Sequence, residues 1–218
     1  MHPTANEEGP MEFWNRLGEV RERYDVLRHP FYLRWSEGTL KLDELAHYSG
    51  QYRHAVVALA DATAVAARSE EAGPDAPELS DHAAEEAAHV QLWDEFVLTV
   101  GGDVAAAPSP ETRDCAAVWA GDNSRAFLHT LVAMHTIEST QPAISTTKRD
   151  GLARHYGIPS ATYFEVHQQR DVEHADAVRG LIESRRAGAD EDALIATAED
   201  VLRANWRLLD GVDAARRD

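Results

Sequence analysis

Cysteine is the scarcest chemistry in these 218 residues, with Cys115 alone. A single thiol closes no internal disulfide and cannot supply the several thiolates of a structural zinc site or an iron–sulfur cluster. Any metal must therefore be held by His, Asp and Glu. Basic residues are also short, with 21 Lys and Arg against 38 Asp and Glu and a formal net charge of −17. That balance disfavours nucleic acid and anionic membranes as partners, because both are bound through cations that release counterions. Long apolar runs are missing too: nothing approaches the roughly 20 residues that span a bilayer. The opening "MHPTANEEGP" has no basic segment leading into an apolar one. Neither insertion nor export is indicated, and a cytoplasmic protein is the expectation.

Runs of β-branched residues are scarce, while Ala, Leu, Glu and Arg dominate, so the chain reads as all-α. It contains no internal repeat and no low-complexity tract. Residues 1–10 are expected to be a flexible N-terminus and residues 11–218 a single helical domain. The first helix is expected over 11–28, ending before "HPFY" because Pro30 disfavours helical geometry in the residue ahead of it. "SEGTLKLDEL" restarts a helix from Leu42 to Ala67, with Thr39 or Asp43 as cap. The loop "EEAGPDAPELSD" precedes a helix that runs to Gly101 and Gly102. A short helix over 111–120, a long one over 124–150 interrupted near Pro142, the "HQQRDVEH" helix and a last one over about 191–215 complete a bundle of roughly seven.

Three segments carry metal-binding chemistry. In "EVHQQRDVEHAD", His167, Asp171 and His174 stand at i, i+4 and i+7, one stripe of a helix. In "HAAEEAAH", Glu86 lies three residues and Glu85 four before His89, with His82 seven before it. In "MHTIESTQP", Glu138 shares an apolar face with Leu131 and Met134, where a carboxylate is costly to bury unless paired or metal-bound. Each segment alone is compatible with a solvated helix face. Together, Glu86, His89, Glu138, His167, Asp171 and His174 form the His and carboxylate mixture that suits a pair of non-haem iron or manganese ions, and they exceed the three or four donors a single zinc uses. Glu85 and His82 remain alternatives for the carboxylate position. His29, His47, His54, His129, His135 and His155 read as turn, surface or core residues, His135 being nearest to the cluster in sequence. Trp35, Trp93 and Trp119 read as core.

With these residues assembled, the chain resembles the haem-oxygenase-like diiron oxidases and oxygenases, within a wider group that includes thiaminase II and pyrroloquinoline-quinone synthase. The resemblance runs from about Leu17 to Ile182. "HPFYLRWSEGTLKLDELAHYSGQY" resembles the opening of the wider group, whereas "HVQLW", "IESTQPAISTTKRDGL" and "HQQRDVEH" resemble the diiron branch. It implies a seven-helix bundle and two irons per chain on the six residues above. It also implies O2 as co-substrate, reduced to a peroxo-diiron(III) species that oxidises a small amine or amino acid by N-oxygenation, desaturation or C–C cleavage. An external electron donor and a homodimer are compatible with it.

Two subgroups bear on particular positions. The chlamydial-type self-sacrificing para-aminobenzoate synthases have a Glu where His82 stands, and the alkene-forming fatty-acid decarboxylases have one where Glu86 stands. The synthases also imply Tyr32 as source of the product skeleton, Tyr48 as its neighbour and Lys148 as amine donor. Their tyrosine just before the Glu138 position is Ile137 here. Rival classes are a metal-free hydrolase of the thiaminase II kind, which needs a cysteine nucleophile, and a non-catalytic ligand-binding protein. Direct DNA binding is disfavoured by the lack of a basic recognition helix.

Overall fold

The structure, a computed structural model, describes residues 8–121, 125–158 and 161–215. These residues form α1 (Glu8–Arg23), α2 (Pro30–Glu37), α3 (Leu42–Arg68), α4 (Ala76–Thr99), α5 (Pro110–Ala120), α6 (Phe127–Glu138), α7 (Gln141–His155), α8 (Thr162–Arg185) and α9 (Glu191–Ala214). Short 3-10 turns precede α2 and α4, and no strand occurs among the described residues. Helix α3 packs against α4 and α5, α9 against α1, α5 and α6, and α8 against α6 and α7.

The boundaries differ from the sequence reading where local capping decides them. Glu8–Pro10 already belong to α1, and residues 1–7 of the expected flexible N-terminus lie outside the described residues. The expected helix over 11–28 stops at Arg23, and Asp25 caps a separate turn by accepting from the Leu27 amide. Pro30 starts α2 because its missing N–H has no partner to lose at a helix's first position. His29 caps that start through Nδ1, which accepts from the Phe31 amide at 3.1 Å. Helix α3 starts after Lys41, not at Thr39 or Asp43, with the Glu44 carboxylate accepting from the Lys41 amide. The interruption expected near Pro142 in the helix over 124–150 falls at Ser139–Thr140 and divides it into α6 and α7, and its expected start at 124 lies outside the described residues.

Helix α6 is buried on almost every side from Thr130 to Glu138, so it occupies the centre of the bundle. Trp35, Trp93 and Trp119 are buried, and each indole N–H is satisfied by a carbonyl of another helix. Trp35 donates to Lys148 O (3.1 Å), Trp93 to Ser49 O (2.8 Å) and Trp119 to Val201 O (3.2 Å). A buried indole without an acceptor would cost about 1–3 kcal/mol, so these bonds fix α2 to α7, α4 to α3 and α5 to α9.

Gly151 lets α7 approach Trp35: a Cβ there would lie 2.5 Å from Trp35 Cδ1 and 3.2 Å from its carbonyl oxygen. Gly151→Ala is therefore expected to destabilise the fold by about 1–3 kcal/mol, read as a lower denaturation midpoint. An unchanged midpoint would contradict the close packing.

Candidate metal centre

Two stripes of equal spacing face each other at the middle of the bundle. Helix α4 carries His82, Glu86 and His89, and α8 carries His167, Asp171 and His174, both at i, i+4 and i+7 and all buried. The stripes run in opposite directions: the His82 ring stacks on His174 at 3.8 Å and the His89 ring lies 4.3 Å from His167. The buried helix α6 adds Glu138, fully shielded from solvent. Donor atoms of His82, Glu86, Glu138 and His174 converge within 4.8 Å of one another, and so do those of Glu86, His89 and His167. Glu86 belongs to both groups.

Most of these donors lack any hydrogen-bond partner within the protein. His82 Nε2, both oxygens of Glu138, His167 Nε2, both oxygens of Asp171 and His174 Nδ1 are buried and unpaired. His82 Nε2 lies 2.8 Å from Glu138 Oε1, yet the two do not form a hydrogen bond. Two donors on one metal at right angles, with bonds of about 2.1 Å, stand about 3 Å apart, so this spacing suits a shared cation. Glu86 Oε1 is 3.1 Å from His89 Nδ1 and 3.7 Å from His174 Nδ1.

The outer nitrogens are tied down. His167 Nδ1 is 2.7 Å from Tyr163 O, which leaves the Nε2 lone pair facing inward. His174 Nε2 is 3.1 Å from Glu85 Oε2, and Glu85 is gripped by Arg170, whose Nε donates to Oε2 at 2.9 Å. Such outer partners fix the tautomer and orientation of a metal-binding imidazole. Glu85, a candidate from sequence, thus stands behind His174 and outside the converging atoms. His82 and Glu86, posed above as alternatives, are both inside. Asp171 is in neither tight group but lies between His167 and His174 on the same stripe.

The electrostatics favour a cation. Burial, and then the neighbouring Glu86, push the Glu138 and Asp171 carboxyls well above the usual range. Burial would raise Glu86 as well, but its bond to His89 and the histidines around it outweigh that and hold it low. Burial lowers His82 and His174, and brings His167 down to about 4, so the imidazoles are neutral and ready to donate a lone pair at neutral pH. Neutral histidines plus three carboxylates constitute the donor chemistry of non-haem iron.

Among the other histidines, His29, His54, His129, His135 and His155 bond to Asp210, Ala106 O, Thr197, Ala175 O and Ser36 O respectively, and His47 is exposed. Cys115 is buried on α5 with its thiol pushed up by burial, the opposite of an activated nucleophile.

Beside His167 lies a second unpaired group. Lys148 is fully buried, and its Nζ has no hydrogen-bond partner within the protein. It stands 4.4 Å from the Tyr52 ring centroid, 5.4 Å from Tyr48 and 5.6 Å from Tyr32, with Trp93 and Phe164 completing the shell at 5.2 and 5.3 Å. Burial lowers the ammonium well below its usual value, which favours the neutral amine. The Tyr32 and Tyr48 hydroxyls share a 2.9 Å hydrogen bond, and Gln141 donates to the Tyr52 hydroxyl at 3.2 Å. The Tyr163 ring stacks on His167 at 3.8 Å and meets Trp93 at 4.7 Å; Trp93 in turn meets Tyr52 at 5.1 Å. Contiguous aromatic rings thus join the converging donors to the lysine.

A helical bundle with paired His and carboxylate stripes at its centre defines a class of metal-dependent redox protein. The chain belongs to the family of iron-containing redox enzymes, whose model matches residues 43–208, and it is an oxidoreductase. It is 30% identical to the 4-aminobenzoate synthase of Nitrosomonas europaea over 92% of this chain and 90% of the relative. Identity to the 4-aminobenzoate synthase of Chlamydia pneumoniae is 27%, over 91% and 94%. The haem-oxygenase-like fold is shared with a Shewanella denitrificans OS217 domain of unknown function (TM-score 0.72, 19% identity, 98% and 95% covered) and a TenA homologue from P. horikoshii OT3 (0.69, 18%, 90% and 95%). No described helix is long and apolar enough to cross a membrane.

In an anaerobic Fe(II) titration, His82→Ala is expected to lose about one tight equivalent. Glu85→Gln should keep the stoichiometry but weaken binding about 10–100-fold. Unaltered binding in both variants would show that these side chains hold no metal.

Proposed function

We propose that the chain holds two irons between the stripes and uses them with O2 to make 4-aminobenzoate from its own side chains. His82, Glu138 and His174 would hold one iron, His89 and His167 the other, with Glu86 between them and Asp171 as the remaining carboxylate. Iron supplies O2 reduction and the oxidising equivalents, with further electrons from an external donor. The protein's residues do the rest. The buried cluster excludes water, and Glu85 with Arg170 holds the His174 ring in place. Lys148 offers its amine, and Tyr32 offers a phenol ring whose hydroxyl shares a hydrogen bond with the Tyr48 hydroxyl.

The observation that carries this reading is the Lys148 amine, buried without a partner inside a shell of tyrosines. A lysine in such a place costs stability and makes no structural bond through its amine, which is a burden expected of a group that reacts. Relatives named 4-aminobenzoate synthase, aligned over most of the chain, point the same way. Ile137 favours a second reading, in which the same centre oxidises an external small amine or amino acid, because it replaces the tyrosine found there in the self-sacrificing subgroup.

Protein grown with 15N-lysine and ring-13C-tyrosine, given Fe(II), reductant and O2 but no other substrate, decides between them. The expected result is doubly labelled 4-aminobenzoate at no more than one per chain, abolished by Lys148→Met with iron content retained. Unlabelled product, or turnover only when an amine is added, would overturn the self-sacrifice reading.

A further inference from the structure

A half-open cleft runs along α1. It consists of two adjoining cavities of about 410 and 240 Å3 that share Gly18, Arg21 and Ser139 in their walls. Asp171, on the donor stripe of α8, is among the residues that line the smaller one. Two of the cleft's polar groups, Arg21 and Asn205, are incompletely satisfied. Arg21 donates through Nη2 to Ser139 O at 2.8 Å, the carbonyl freed by the break between α6 and α7, and it has no ion pair with a carboxylate among the described residues. Asp25, whose charge acts on the guanidinium, is itself engaged by the Leu27 amide and Arg28. Asn205 is 4% exposed, and its Oδ1 has no hydrogen-bond partner within the protein. It lines the larger cavity together with Arg21.

Gly18 is the third feature. It lies inside α1, where glycine costs roughly 0.5–1 kcal/mol relative to alanine. A Cβ at this position would meet nothing within 4 Å. The space is therefore left open although neighbouring atoms would permit a side chain. Val26, Leu27, Ile144 and Leu202 give the larger cavity apolar walls.

We propose that this cleft binds a small aromatic carboxylate bearing an N–H donor. The Arg21 guanidinium takes the carboxylate, Asn205 Oδ1 accepts from the N–H, and the ring lies between the apolar walls. One unpaired guanidinium fits a monoanion, whereas Glu22 and Asp25 nearby oppose a dianion. An acceptor lacking a donor selects for an amine over a bare ring. Naming 4-aminobenzoate as the natural occupant rests on the proposed function; the site itself does not.

Anaerobic calorimetric titration of the iron-loaded protein tests this without turnover. One 4-aminobenzoate per chain is expected to bind, with benzoate several-fold weaker and aniline weaker still. Arg21→Gln should weaken 4-aminobenzoate roughly ten- to hundred-fold. Gly18→Phe, which fills the cleft without a clash at Cβ, should abolish binding while leaving the iron content unchanged. Equal binding by both variants would mean that the acid sits on the irons, and aniline binding as tightly as 4-aminobenzoate would remove the role of Arg21; either overturns the proposal. Binding that depends on Arg21 and Gly18 in a protein that fails the isotope experiment would uphold the cleft and reject the synthase reading. Labelled product without such binding would do the reverse.

Discussion

Glu86, Glu138 and Asp171 are buried side by side with most of their oxygens bare, and this concentration of unsatisfied negative charge is the constraint around which the bundle is organised. Carboxylates removed from water cost several kcal/mol each unless something replaces the lost solvation. Burial keeps His82, His167 and His174 neutral, so these three imidazoles cannot provide that compensation as cations. Without a cation, Glu138 and Asp171 are driven to the protonated form; bound divalent metal would favour their ionised forms and engage oxygens that otherwise have no partner. Metal binding and fold stability are consequently linked, since the cluster is assembled only in the folded chain.

Helix geometry makes the arrangement possible. A stripe at i, i+4 and i+7 on α4 faces its counterpart on α8 in the opposite direction, so the first position of each meets the last of the other and histidine meets histidine: His82 with His174, His89 with His167. Glu86, central in its stripe, reaches both groups, and α6 brings Glu138 from the centre of the core. The three tryptophan N–H bonds hold the flanking helices in register. Through Trp35 the same network sets Lys148 beside the tyrosines, and through Tyr163 the ring of His167 touches that aromatic shell. Metal-binding and lysine-bearing halves are therefore one packed unit.

Much of this was legible in the residues. The all-α class followed from composition, and the resemblance to haem-oxygenase-like diiron proteins agrees with the family and the fold. The six residues singled out by spacing and burial cost are all buried, five of them in the two converging groups and Asp171 on the same stripe, but several points escaped. His82 was kept as an alternative to Glu86, although H-x-x-x-E-x-x-H on α4 repeats the spacing of H-x-x-x-D-x-x-H on α8; comparing the two segments would have revealed both as full stripes. Glu85 is equivalent to Glu86 by sequence spacing, and only the approach of Arg170 and His174 from α8 assigns it to the outside. The start of α2 at Pro30 was missed because the restriction on the preceding residue outweighed proline's suitability as a first helical residue. Arg21, Gly18 and Asn205 had no signal at all, because their juxtaposition is created by the packing of α1 and α9 around the break between α6 and α7.

The central claim is that one buried cluster grips two irons with Glu86 between them. Diffraction from iron-loaded crystals, recorded above and below the iron absorption edge, tests it most directly. The account predicts two anomalous peaks per chain, one beside His82, Glu138 and His174 and the other beside His89 and His167, with the Glu86 carboxylate reaching both. A single peak, or iron bound anywhere outside these side chains, would contradict it.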